Sequence, residues 1–133
     1  NSVTTIGNYA FYNCSGLRSF TCAEAKNWIY GGSMAEMFRL CSSLEYVDFS
    51  GITYPTGCWA ILYDCTNLRE INLKNWKSDE ITEPGNISAF CGGCPNLEKI
   101  YFKIIQDQII ERFLLIFDRF LCEANPIKPQ QIC

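Results

Sequence analysis

The chain has 133 residues, enough for one domain, with an ordinary globular balance of 48% hydrophobic and 19% charged residues. It contains no histidine, which excludes a Ser-His-Asp triad, a Cys-His nucleophile pair, a His-ligated zinc and an imidazole pH switch. Eleven Lys and Arg against fourteen Asp and Glu leave a net charge of −3, so there is no basic field to hold nucleic acid phosphates, and the short apolar runs show neither a membrane span nor a signal peptide.

One block recurs four times along the chain: Phe11-Tyr-Asn-Cys14-Ser-Gly-Leu17, Phe38-Arg-Leu-Cys41-Ser-Ser-Leu44, Leu62-Tyr-Asp-Cys65-Thr-Asn-Leu68 and Phe90-Cys-Gly-Gly-Cys94-Pro-Asn-Leu97. The third block has Leu62 where the others have an aromatic, and the fourth reads as carrying one inserted residue between Phe90 and Cys94. Each block runs on into alternating apolar positions: Leu17, Phe20, Cys22; Leu44, Val47, Phe49; Leu68, Ile71, Leu73; and Leu97, Ile100, Phe102. That alternation predicts one strand per unit. Stretches ahead of the cysteines (7–12, 34–40, 57–63 and 86–90) predict helices of at most about two turns. A unit this small cannot bury its own apolar face, so stacking is what stabilises it. The expectation is an α/β solenoid with a parallel sheet of four strands and short helices on the convex wall.

These blocks resemble the cysteine-bearing leucine-rich repeats of BspA-like, Treponema-type surface proteins of bacteria and protists. The run Val3 to Leu17 looks like that consensus, and Met34 to Ser50 is similar to the variant with a Met-Phe pair. The resemblance covers residues 1 to about 102. It implies a noncatalytic module that binds protein, attachment to host matrix proteins or other cells, and a place at the cell surface as part of a longer protein.

Residues 1–103 are therefore assigned to the repeats. Asn1 opens directly into a repeat with Val3 and Ile6 in core phase, which predicts a bare apolar end and self-association, or a preceding segment, at that side. From Ile104 to Cys122 apolar residues fill most of a helical wheel, and Asp107, Glu111, Arg112, Asp118 and Arg119 share one arc of about 140°. This predicts a C-terminal helix over 104–122 that caps the fourth repeat through Phe113, Ile116, Phe117 and Phe120. Membrane-surface insertion is the alternative, but the polar arc is mixed in sign rather than basic. Residues 123–133, with Pro126 and Pro129, read as a tail.

Nine cysteines are present. Cys14, Cys41, Cys65 and Cys94 fall in register and should stack in a column at roughly 4.8 Å. Side chains that point the same way do not bridge, so these four are expected to be reduced, buried thiols. Cys22 takes a core position. Cys91 and Cys94 form the lone C-x-x-C, the basis of an alternative reading as a thiol redox protein. The pair follows the end of its predicted helix, however, where the dipole disfavours a thiolate. A zinc site lacks a second ligand pair, so neither metal nor cofactor is expected. Cys122 and Cys133 could close a short loop, and Cys58 matches nothing else. Asn13-Cys-Ser15 and Asn86-Ile-Ser88 fit the glycosylation pattern but read first as chance matches.

Outward positions of the four strands form columns: Arg18, Glu45, Arg69, Glu98; then Ser19, Tyr46, Glu70, Lys99; then Thr21, Asp48, Asn72, Tyr101. The first column alternates in sign, which predicts cross-strand ion pairs. An arginine beside both Glu45 and Glu98 pushes the two carboxyls the same way, unlike the split pair of a glycosidase. No catalytic residue is assigned. The candidate partner-binding face comprises Arg18, Glu45, Tyr46, Asp48, Arg69, Glu70, Glu98, Lys99 and Tyr101, and the rival to a binding module is a structural spacer within a larger surface protein.

Overall fold

The computed structural model describes residues 6–23, 33–52, 57–75 and 90–102. Four strands, β1 (Ser19–Thr21), β2 (Tyr46–Asp48), β3 (Glu70–Leu73) and β4 (Lys99–Phe102), form one parallel sheet in chain order. Phe20, Val47, Ile71 and Ile100 stand in one register row, and Ser19, Tyr46, Glu70 and Lys99 in the row beside it. The columns read from the sequence are thus the columns of the sheet. Each strand is entered through the same turn, in which the leucine N–H of Cys-x-x-Leu donates to the cysteine carbonyl at 3.0–3.2 Å, four times over.

The short helices are absent among the described residues. The stretches 7–12, 34–40 and 57–63 are successions of turns, whereas 86–89 lie outside the described part. Two features prevent helix formation. Among the described residues, positions five and one before the four in-register cysteines carry left-handed backbone: Tyr9 and Asn13, Glu36 and Leu40, Ala60 and Asp64, and Gly93. A right-handed helix cannot pass through them. In addition, alternate N–H groups leave their own segment and donate to the next repeat. Tyr9, Phe11 and Asn13 donate to Ala35, Met37 and Arg39; Glu36, Phe38 and Leu40 to Trp59, Ile61 and Tyr63; Leu62 and Asp64 to Phe90 and Gly92. The intervening N–H groups close turns at home, as in Cys41 N–H to the Phe38 carbonyl. Non-glycine residues in left-handed backbone cost about 1–2 kcal/mol each, a cost offset by these eight inter-repeat bonds, each worth about 0.5–1.5 kcal/mol and expensive to leave unmade when buried. Because the outer wall is hydrogen-bonded from repeat to repeat like the sheet, the repeats are spaced alike front and back.

That ladder also corrects the alignment of the fourth block. The Leu62 N–H donates to Phe90 just as Phe38 N–H donates to Ile61, so Phe90 matches Ile61 and Cys91 takes the position of Phe11, Phe38 and Leu62. There is no insertion; a cysteine stands where the other blocks have a large apolar residue.

The core lies between the two walls. Phe38 is fully buried and sits against Phe11 (centroids 5.1 Å apart, stacked), Phe20 (4.8 Å) and Phe49 (5.8 Å). Leu44, Leu68, Val47, Ile71 and Ile61 complete it. In the first repeat Ile6, Phe11, Leu17 and Phe20 are only partly buried against this cluster.

Candidate binding surface

The seven described cysteines are free thiols. Cys41 Sγ donates to the Phe11 carbonyl at 3.0 Å, Cys65 Sγ to Phe38 at 3.1 Å and Cys94 Sγ to Leu62 at 3.1 Å. Each carbonyl receives the N–H of its own repeat's cysteine as well, so the thiol supplies a second donor to a buried acceptor. A small apolar side chain with one weak donor fits this position, which is why cysteine recurs there. Cys14 departs from the expectation: it is exposed, because among the described residues it has packing partners on one side only.

Burial raises the Cys41 thiol above the ordinary value, raises Cys65 and Cys94 well above it and pushes Cys91 up to about 12. A redox couple needs the opposite shift. Alkylation of the native protein is therefore expected to modify Cys14 and to spare Cys22, Cys41, Cys58, Cys65, Cys91 and Cys94. Peptide mapping by mass spectrometry after a timed iodoacetamide pulse reads this directly, and labelling of Cys91 at the rate of Cys14 would contradict it.

The sheet face carries the nine candidate residues in three rows. In the first, Arg69 reaches Glu98 at 3.1 Å, the row's one ion pair among the described residues. Both side chains are more than half exposed, so the pair contributes little to stability. In the second row Lys99 pairs with Glu70 at 3.1 Å, and the Tyr101 hydroxyl donates to the other Glu70 oxygen at 3.4 Å. Lys74 lies 5.4 Å from the Tyr101 ring centroid. The β3–β4 half of the face is thus knitted together, while Arg18 and Glu45 on the β1–β2 half stay exposed.

The third row, Thr21, Asp48, Asn72 and Tyr101, lies at the last strand residue or one before it. Thr21 Oγ1, Asp48 Oδ1 and Asn72 Oδ1 each accept the N–H two residues on, from Ala23, Ser50 and Lys74, at 3.4, 2.8 and 3.2 Å. These local turns explain why short polar residues recur there. Asp48 is buried and also accepts from the Tyr46 hydroxyl at 3.2 Å. Burial pushes its pKa up, but hydrogen bonds from Ser50, Tyr46 and Asn72 outweigh it, and the carboxyl sits below its usual value.

The outer wall holds a second set of residues that the strand reading passed over. Tyr9 Oη donates to Glu36 Oε1 at 3.0 Å, Arg39 Nη1 binds Glu36 Oε2 at 2.6 Å, and the Arg39 guanidinium lies 5.3 Å from the Tyr63 ring centroid. Glu36 is buried. Its pKa is lowered chiefly by the Arg39 hydrogen bond, against the opposing effect of burial. The signal was available in the cysteine alignment, where Tyr12, Arg39 and Tyr63 all stand two residues before the ladder cysteine.

Both carboxyls have folded-state values below their unfolded ones, so the stability they contribute is present above the unfolded carboxylate range of about 4 and is lost as pH falls through the folded values. Thermal midpoints are expected to hold steady from pH 7 to 5 and then fall, and Glu36→Gln should flatten part of that fall. An unchanged acid profile in the variant would remove Glu36 from this role.

A family model for the BspA type leucine rich repeat region matches residues 1–113 in six copies. The chain belongs to this family. The match covers the four described strands and runs into the segment assigned to the cap, which lies outside the described residues. Neither a curated protein nor a solved structure matches the chain. Among the described residues no helix is long and apolar enough to cross a membrane.

Proposed function

We propose that this leucine-rich-repeat chain is a noncatalytic protein-binding module of an adhesin-like cell-surface protein. The observation that carries this reading is the exposed face of the four-stranded sheet, where Arg18, Glu45, Arg69, Glu98 and Lys99 are exposed and Tyr46, Glu70 and Tyr101 half-buried. On a stacked scaffold these outward positions are free to vary without disturbing the core, which suits recognition of a macromolecule. Host matrix or other cell-surface proteins are the partners that the family supports.

The test is binding to surfaces coated with extracellular-matrix protein. Alanine at Tyr46 and Tyr101 together is expected to reduce retention at least tenfold with the fold intact by circular dichroism. Unchanged retention, or none by the parent chain, would favour repeats that serve as a spacer. The partly buried Ile6, Phe11, Leu17 and Phe20 also support self-association through the first repeat. Sedimentation over a hundredfold concentration range should then show a rising mass, and a constant monomer mass would contradict it.

A further inference from the structure

Asn13-Cys14-Ser15 has the acceptor pattern for N-linked glycan, an asparagine with a hydroxyl two residues on. The fold places all three residues, each exposed, in the turn that leads from the outer wall to β1. Backbone groups close this turn. The Asn13 N–H donates to the Arg39 carbonyl at 2.8 Å, the Cys14 N–H to the Phe11 carbonyl at 3.1 Å and the Ser15 N–H to the Asn13 carbonyl at 2.8 Å. The Asn13 amide and the Ser15 hydroxyl make no hydrogen bond among the described residues, so both reactive groups of the pattern stand unoccupied in solvent.

This exposure does not depend on what lies beside the first repeat. One residue before the ladder cysteine, Leu40 and Asp64 are half-buried and Gly93 is exposed; one residue after it, Ser42, Thr66 and Pro95 are all exposed. The turn therefore reaches the surface in repeats that have neighbours on both sides. Ser42 and Thr66 match Ser15, but asparagine precedes the cysteine in the first block alone. Asn13, Leu40, Asp64 and Gly93 all take left-handed backbone, so the turn does not itself demand asparagine. We infer that Asn13 is an N-glycosylation site. In the reaction Asn13 Nδ2 bonds to the anomeric carbon of an oligosaccharide carried on a lipid diphosphate; the bond from that carbon to the diphosphate oxygen breaks, the lipid diphosphate leaves with its electron pair, and the amide nitrogen gives up one proton. The glycan stands next to Cys14, the exposed thiol among the described residues, and shields it from oxidation outside the cell. The inference rests on the reading of the chain as a cell-surface protein, which passes through the compartment that holds this donor.

The experiment secretes the full chain from a eukaryotic cell line behind a cleavable leader, with Asn86→Gln to remove the other matching site, and maps Asn13 by mass spectrometry after peptide N-glycosidase in heavy-oxygen water. Most secreted molecules should carry glycan at Asn13, read as labelled aspartate at that position. Ser15→Ala should abolish the label and Ser15→Thr should keep it; both change an exposed side chain that bonds to nothing described, and the circular dichroism of each should match the parent. Iodoacetamide should label Cys14 severalfold faster once the glycan is removed, and equal rates would overturn the shielding. A secreted chain with bare Asn13, or a label that survives Ser15→Ala, would overturn the site. Retention of the same secreted chain on matrix protein tests the surface reading separately: glycan at Asn13 without retention would sink that reading and keep the site, and retention with bare Asn13 would do the reverse.

Discussion

Replacing Phe38 by alanine is expected to cost about 3–5 kcal/mol, the range for a large aromatic removed from a packed core. Phe38 is fully buried and touches three other phenylalanine rings, one from its own repeat's strand side, Phe49, and two from the repeat before it, Phe11 and Phe20. In a stack, the contact between repeats is what holds each repeat folded, so this substitution removes the interface and the local core together. For a domain of ordinary stability that is a large share of the total. Chemical denaturation read by near-ultraviolet circular dichroism measures it. Phe49→Leu, which leaves the stacked Phe11–Phe38 pair in place, should cost less than half as much. Equal losses from the two variants would show that Phe38 is not the centre of the ring cluster.

Gly93→Val is expected to cost about 2–3 kcal/mol, combining left-handed backbone strain with crowding. Gly93 has φ +70°, and an added Cβ would lie 2.2 Å from Asp64 Oδ1 and 3.3 Å from the Asp64 Cα. A valine cannot relieve both, whereas Asp64 can swing its short carboxylate away from a smaller intruder. The matching position in the first block is Asn13 with φ 56°, and asparagine tolerates this backbone. Gly93→Asn should therefore cost less than about half the valine figure. A pair of thermal melts decides the matter: valine and asparagine variants with the same midpoint would mean that the wall of the fourth repeat does not need left-handed backbone.

Four cysteines in register and a leucine three residues after each were enough to determine the repeat, the strand rows and the columns of the face, because all of these follow from spacing along the chain. The ion pairs Arg69–Glu98 and Lys99–Glu70 join residues in those columns. The outer wall was not legible in the same way. A window such as Met34 to Leu40 has helical spacing of its apolar residues, and only the neighbouring repeat, by accepting the N–H groups of Tyr9, Phe11 and Asn13 and sending its own to Trp59, Ile61 and Tyr63, turns it into a hydrogen-bonded ladder. Asn13, Asp64 and Gly93 hinted at left-handed backbone by type, but Leu40 and Tyr9 conceal it. The role of Cys91 depended on the same ladder: spacing paired it with Cys94, and the register of Leu62 with Phe90 placed it in the core. Local spacing specifies which way a side chain points from its own strand, but the destination of a backbone hydrogen bond is a property of two repeats, and it is settled when they stack.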